Sequence, residues 1–529
     1  MAECAEGRRM ADTSLESLLY SEIVLTSEEL VKKLIQAGRT PAAARQALQR
    51  ASASGRVWKS EHCRLPQNMR LYALPNLVGS NQFFRVAARK VAQSERHGIA
   101  RCMAALAQDK VLLDTDAKKL LAAPVAGVET DESNHHLSFR DELAALGELG
   151  VHASQLMYGQ EYLTGTHFDE SLSGDVIALK AVSQIRIECM LARIVVDSLR
   201  RQNVLAWNQY NIALGDCGYV VFNAQLFTAQ GYCYLWPVLR WEGKKTIGCP
   251  VLLDVYAGEC RRFEVEAFVE RIKRATFRNH RQQNHLGIIA ATSFPKEAFD
   301  YAKEHHLLTM NLRQVFGDQA LDALVQIETL LRNLDFTVTP NIGCDVQKFS
   351  RLLEELKTNP VVTILRSIGY EALCALILRS VGYEGVEMGC NVPFKESTRD
   401  VDVFGRRGKV LRVVECKALT ARKELESCDV RKFYLETLPA FQTWYSRKRG
   451  MENSVEKIQA EIWTTGEIGF DAKQQLNDLQ LATYIERGIK TSKDIETEIP
   501  TELRERIQKL LTAIAMPVNK EQDSNSTNA

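Results

Sequence analysis

A chain of 529 residues, 45% apolar and 25% charged, is too long for one ordinary hydrophobic core, and no run in it approaches the roughly 18 apolar residues that span a bilayer, so about three or four soluble domains are expected. Its net charge of +1 argues neither for nor against a nucleic-acid partner, because such binding depends on where the basic residues gather. The thirteen cysteines form no C-x-x-C pair and no Cys/His cluster at zinc spacing, which leaves neither a disulfide framework nor a structural zinc indicated.

The first twenty residues lack a basic segment followed by an apolar stretch, so no secretory signal is read and a cytoplasmic location is expected, with no membrane partner. From Thr26 to Arg96 there are 13 Lys/Arg against 4 Asp/Glu, a local basic excess. Thr26 and Glu29 form a capping box ahead of a short helix closed by Gly38. Thr40 and Pro41 open a second helix, whose apolar stripe is Ala44, Ala47, Leu48 and Ala51. Arg45, Gln46 and Gln49 are left toward solvent, with Arg50 at the margin. Two short strand-like runs follow in RVWKSEHCRLPQNMRLYALP. Helix, turn, helix and two-stranded wing resemble a winged helix, placed at residues 20–96. The resemblance implies DNA binding, with Arg45, Gln46, Gln49 and Arg50 contacting bases or phosphates in the major groove. Winged helices also serve as protein-docking modules, and Arg or Gln on a helix is commonly a solvated face.

Residues 97–172 read as a helical connector that includes a polar linker, AGVETDESNHHLS. His135 and His136 in that linker, like His305 and His306 further on, have no second ligand pair at metal spacing and read as surface histidines. A long amphipathic helix is expected over 175–200, after which the period turns strand-like. In CPVLLDVYAGE, Val251, Leu253 and Val255 alternate with Leu252, Asp254 and Tyr256, the pattern of a half-buried strand. A helix, then a strand, a Thr-Ser turn, a helix and a last strand follow, which argues for an α/β sheet in a module at 173–317. The run 205–317 resembles the later half of the catalytic domain of Mrr-type restriction nucleases. The basic segment 271–281 is either a phosphate-contacting surface or a solvated helix end. A second helical connector is expected at 318–360, and the polar tail 516–529 reads as disordered.

The segment 366–420 carries the chemistry. It reads as a helix followed by three strands. Asp400 and Asp402 alternate with Val401 and Val403, the turn GRRGK reverses the chain, and the next strand sets Glu415 and Lys417 on one face. If these strands pair, three ionic groups converge. Two carboxylates meeting there suit magnesium, or manganese, held by Asp402, Glu415 and the Cys416 carbonyl. Lys417 is then placed to orient the attacking water and to stabilise charge on phosphorus. Asp400 is the alternative ligand should the register shift.

Asp, twelve residues, Glu, one residue and Lys resembles the D-x(n)-E-x-K signature of the PD-(D/E)XK nuclease superfamily, in a domain at 361–515. The resemblance implies a further role for Glu371, since many members carry on the preceding helix a Glu that reaches the metal. Gln442 and Tyr445 resemble, at different spacing, the Gln/Tyr motif of RecB-like nucleases. In the middle module Asp254, Val255 and Tyr256 stand where E-x-K is expected, so the acid is kept and the lysine is replaced, which marks a degenerate copy. The fold class expected is multidomain α/β: a winged helix and two restriction-endonuclease-like modules. The activity implied is Mg-dependent cleavage of DNA, in restriction or defence against foreign DNA. RNA as substrate and a non-enzymatic DNA-binding or assembly scaffold are the alternatives. No phosphate-binding loop occurs, so any motor would be another chain, and self-assembly stays open.

Overall fold

The computed structural model describes residues 14–61, 63, 65, 68–93, 96–124, 139–156, 161–168, 173–206, 209–214, 218–235, 240–242, 245–278, 281–335, 342–357, 359, 361–394, 397–420, 423–449, 455–499 and 501–515. The whole polar linker, with His135 and His136, and the tail from 516 lie outside them. The protein is mixed α/β and built from several sheets. No helix among the described residues is long and apolar enough to cross a membrane.

The N-terminal unit runs α1 (Leu15–Glu22), β1 (Val24–Thr26), α2 (Ser27–Gln36), α3 (Pro41–Ala53), β2 (Trp58–Lys59) and β3 (Leu71–Ala73), with strand order β1-β3-β2. Helix α2 begins at a reciprocal cap: Glu29 Oε2 accepts the Thr26 N–H at 2.7 Å and Thr26 Oγ1 accepts the Glu29 N–H at 3.3 Å. Helix α3 buries Ala44, Leu48 and Ala51 in a core with Leu30, Leu34 and Tyr72. After α4 (Asn81–Val91) come α5 (His97–Asp109), β4 (Val111–Leu113), α6 (Asp114–Leu121), α7 (Phe139–Glu148), β5 (Val151–Gln155) and β6 (Glu161–Gly165), with order β4-β6-β5. Residues 97–168 therefore repeat the element order and strand order of the first unit. They are not the purely helical connector expected from their sequence. The difference has a local cause: β4 is three residues long and entirely buried, and residues 122–138 separate α6 from α7 where residues 37–40 separate α2 from α3.

A second repetition follows. Helix α8 (Ser173–Arg201) leads to β7 (Tyr210–Ile212), the hairpin β8 (Val220–Phe222) and β9 (Gln225–Phe227), β10 (Ala229–Cys233), the hairpin β11 (Arg240–Glu242) and β12 (Lys245–Ile247), and β13 (Cys249–Glu259). Then come α9 (Arg262–Thr276), the hairpin β14 (Phe277–Arg278) and β15 (Arg281–Gln282), β16 (Leu286–Ser293), α10 (Lys296–Glu304), β17 (Leu308–Asn311), α11 (Leu312–Phe316), α12 (Asp318–Asp335) and α13 (Ile342–Glu355). The last module runs α14 (Val362–Ser380), β18 (Glu384–Phe394), β19 (Ser397–Arg407), β20 (Val410–Lys417), β21 (Glu424–Leu425) and α15 (Ser427–Lys432). A π-turn over Phe433–Thr437 joins α15 to α16 (Leu438–Arg449), and β22 (Lys457–Thr464), β23 (Glu467–Ile468), α17 (Phe470–Asp478), β24 (Ile485–Thr491), α18 (Ser492–Glu498) and α19 (Thr501–Ala515) complete it.

The two five-stranded sheets, β7-β10-β13-β16-β17 and β18-β19-β20-β22-β24, have the same order and sense. In each, the first three strands are antiparallel and the last three parallel. Helices α8 and α14 precede the sheets. One core joins them: residues of α8, α12 and α14 pack with Val251, Leu253 and Val255 of β13 and with Val414 and Cys416 of β20. Helix α14 is buried nearly all round, between its own sheet on one side and α8, α12, α13 and α19 on the other. The first two strands of the last sheet also touch the first strand of the other, Asn391 Nδ2 of β18 donating to the Ile212 carbonyl at 2.7 Å and Thr398 Oγ1 of β19 to Asn211 Oδ1 at 2.9 Å.

Candidate active site

Strands β19 and β20 pair antiparallel from Arg407↔Val410 to Val403↔Val414, and one further step sets Asp402 opposite Glu415. Period-2 alternation sends Val414 and Cys416 into the core shared by the two sheets and leaves Glu415 and Lys417 on the other face. The Cys416 N–H donates to Asp402 Oδ2 at 2.6 Å, fixing that carboxyl at the strand end. Lys417 Nζ lies 3.1 Å from Glu415 Oε1 and 3.1 Å from Asp429 Oδ1 on α15. Burial opposes the Lys417 charge, but Glu415, Asp429 and Asp402 more than offset it and hold the ammonium above its ordinary range.

Five acids thus share this end of the sheet. Asp402 is driven well above the usual carboxylate range by burial and then by Glu415, Glu371 and Asp400, which outweigh the hydrogen bond from the Cys416 N–H. Asp400 keeps an exposed surface, yet crowding protein strips water from its carboxyl. That crowding, with Glu371 and Glu415, pushes it up to about 7 against the opposing charges of Arg193 and Lys432. Mutual repulsion of this kind is what a bound cation relieves.

The helical Glu371 is placed at the cluster, as its charge on Asp400 and Asp402 attests, but it is not free. Arg193, from α8 of the middle module, grips both its oxygens at 2.6 and 2.7 Å, and Ser367 Oγ donates to it at 3.3 Å. The Glu371 side chain is only 3% exposed. Arg193 is buried against its own charge, but Glu371, Asp400 and Asp402 hold its guanidinium above the ordinary value. Arg193 and Asp429 had no signal in the sequence: they lie on other elements, and only the packing of α8 and α15 brings them here. Among the described residues no three His, Cys, Asp or Glu side chains are grouped to hold a metal ion. The ligand set read from the sequence has two side chains, Asp402 and Glu415, with the Cys416 carbonyl as its third oxygen.

The middle module differs at each corresponding position. Asp254 is fully buried, paired to Arg271 Nη2 at 2.6 Å, and it accepts hydrogen bonds from the Thr228 N–H at 3.0 Å and the Tyr256 hydroxyl at 3.2 Å. Burial works to raise it, but Arg271 and Lys119 keep its carboxyl below the usual range. Arg271 lies inside, and Arg274 donates to the Ala122 carbonyl at 2.6 Å and pairs with Glu270. Segment 271–281 is therefore not a free phosphate-contacting face at these two arginines. Near the N-terminus, Arg45, Gln46, Gln49 and Arg50 are all exposed on α3. Tyr445 is buried beside Phe404 and Phe441, and Gln442 Nε2 reaches the Tyr484 hydroxyl at 3.4 Å.

A comparison of the chain with family models, with curated proteins and with solved structures found no match in any of the three.

Proposed function

We propose that the chain is a magnesium-dependent nuclease of the PD-(D/E)XK type acting on DNA, with its site at the ends of β19 and β20. The observation that carries this reading is the convergence of Asp402, Glu415 and Lys417 at one strand end, with Asp402 held by the Cys416 N–H. Sheet order and sense, and a glutamate on the preceding helix, are consistent with that superfamily. The donor set fits a hard cation: carboxylates that repel each other, beside one lysine whose charge they sustain.

Asp402 and Glu415 would hold the ion, with the Cys416 carbonyl as third oxygen; when bound, magnesium (or manganese) supplies the charge that draws and polarises the scissile phosphate. Lys417, kept protonated by Glu415 and Asp429, stabilises negative charge growing on the phosphoryl oxygens and orients the attacking water. The N-terminal order of helix, strand, two helices and two strands supports the winged-helix reading, with α3 as the groove helix carrying Arg45, Gln46, Gln49 and Arg50. The middle module is read as a degenerate nuclease fold, since Asp254 is sealed in an ion pair.

One observation favours the scaffold alternative: Glu371 is already saturated by Arg193, so one expected acid is committed to holding the modules together. Incubation of the purified chain with duplex DNA and with RNA, in magnesium and in chelator, separates the readings. Cleavage of DNA that chelator abolishes is the expected result, cleavage of RNA alone redirects the substrate, and cleavage of neither refutes the nuclease reading.

A further inference from the structure

We propose that one chain cuts one strand of duplex DNA, so that its product acting alone is a nick. The inference rests on the nuclease reading of the last module and concerns what its neighbour contributes. The two sheets can be matched residue by residue. In the last module the N–H of the residue after the third-strand acid, Cys416 after Glu415, donates to the second-strand side chain Asp402 at 2.6 Å. In the middle module the N–H of Val255, after Asp254, donates to Thr228 Oγ1 at 3.3 Å. This shared bond equates Thr228 with Asp402, Asp254 with Glu415 and Tyr256 with Lys417.

Each substitution removes a function. A neutral hydroxyl replaces the carboxylate at Thr228, and a phenol replaces the ammonium at Tyr256. The one acid kept, Asp254, is 1% exposed and bound by Arg271, itself 1% exposed, whose guanidinium stands over the rings of Phe227 and Phe268 at 5.3 and 5.5 Å. Lys119 enters from α6, donating to the Gly218 carbonyl at 2.9 Å and approaching Thr228 Oγ1 at 3.5 Å. Cations of the chain itself therefore fill the place where an ion and a phosphate would sit, and the middle site is closed to both.

This closed copy also occupies the position beside the open one. The modules share a core, Arg193 ties α8 to Glu371, and β18 and β19 are bonded to β7 through Asn391 and Thr398. Paired recognition units read the two strands of a duplex through a shared two-fold. Here the pair is internal and only one member carries the constellation. At that site a water oxygen bonds to phosphorus and the phosphorus bond to one sugar oxygen breaks. The water's proton passes to the departing oxygen, leaving a phosphomonoester and a hydroxyl on that strand. The opposite strand keeps its phosphodiesters.

Supercoiled plasmid, incubated with the full chain in excess and magnesium, reads this directly. Open circles should form first and accumulate, with linear DNA following after a lag. Glu415→Ala should abolish both products, and a tenfold excess of that variant should leave nicking by the wild-type chain unchanged apart from competition for DNA. Linear DNA formed without a lag, first order in chain, would overturn the proposal. So would open circles made by the Glu415→Ala chain, which would place a second active site in the middle module. Failure of the wild-type chain to cut any DNA overturns instead the nuclease reading on which the proposal rests.

Discussion

Replacing Arg193 with Met should destabilise the joined modules far more than a surface substitution does. The guanidinium makes two charge-assisted hydrogen bonds, 2.6 and 2.7 Å, to a carboxylate that is 3% exposed and, among the described residues, has only Ser367 besides. Met keeps most of the apolar stem, so the loss is confined to the charge. Removing one partner of a buried pair leaves the other uncompensated, at about 3–5 kcal/mol. For the roughly 340 residues that share this core, at about 2.1 cal/mol/K each, that lowers the thermal midpoint by about 4–7 °C. Removing both charges, in Arg193→Met/Glu371→Met, should recover most of the loss, because an apolar pair of similar volume satisfies the same space. The assay is thermal unfolding of wild type, both single variants and the double variant at one scan rate, read as a double-mutant cycle. Simple additivity of the two single losses would refute the claim that these groups act as a pair across the modules.

Three further outcomes follow from the same geometry. Arg271→Met leaves Asp254 buried with Thr228, Tyr256 and Lys119 and should cost about 3–5 kcal/mol, checked by the loss of protease resistance of the middle module; a neutral effect would show that Asp254 is not sealed as described. Burial, reinforced by Asp116, pushes Glu188 up to about 8 from its ordinary 4.5, so the folded chain holds a proton that the unfolded chain releases. Its contribution is complete below about 4.5 and is lost as pH rises through about 8, by up to about 1.4 kcal/mol per pH unit; Glu188→Gln should flatten that decline in denaturation measured from pH 5 to 9, and an unaltered slope would contradict it. Arg45→Ala/Arg50→Ala should weaken DNA binding and reduce the slope of log affinity against log salt by nearly 2, about 0.9 per lost phosphate contact; unchanged affinity and slope would make α3 a protein-docking helix.

Much of this was legible because local chemistry decided it. The capping box at Thr26 and Glu29, the Pro41 helix start and the alternation at the end of β20 are short-range signals that packing did not override. Strand β13, expected to be half buried, is instead buried on both faces from Cys249 to Val255, because α9 and α10 cover the face that holds Leu252. The convergence of Asp402, Glu415 and Lys417 was legible for the same reason: one turn fixes the register of the hairpin that joins β19 and β20. The sheet at 97–168 was not, although VLLDTDAKKLL at 111–121 follows the pattern of VLTSEELVKKL at 24–34, because the next helix stands well away along the chain. The partners that complete the site were illegible. Arg193 is 178 residues from Glu371, and nothing in the period of α8 distinguishes it from the neighbouring Arg186 or Arg200. The inward turn of Arg271 was hidden likewise, because a basic run on a helix reads as solvated until the acid it answers, on another strand, is known.

The central claim is that Asp402, Glu415 and Lys417 cut a phosphodiester, and the most direct test separates cutting from binding in two variants. Glu415→Ala and Lys417→Ala should each fold, as circular dichroism checks, and bind duplex DNA with wild-type affinity, because neither side chain is part of a hydrophobic core. Each should lose magnesium-dependent cleavage at saturating DNA by at least a hundredfold, the order associated with removing one group that stabilises transition-state charge. Wild-type cleavage retained by both folded variants would contradict the account.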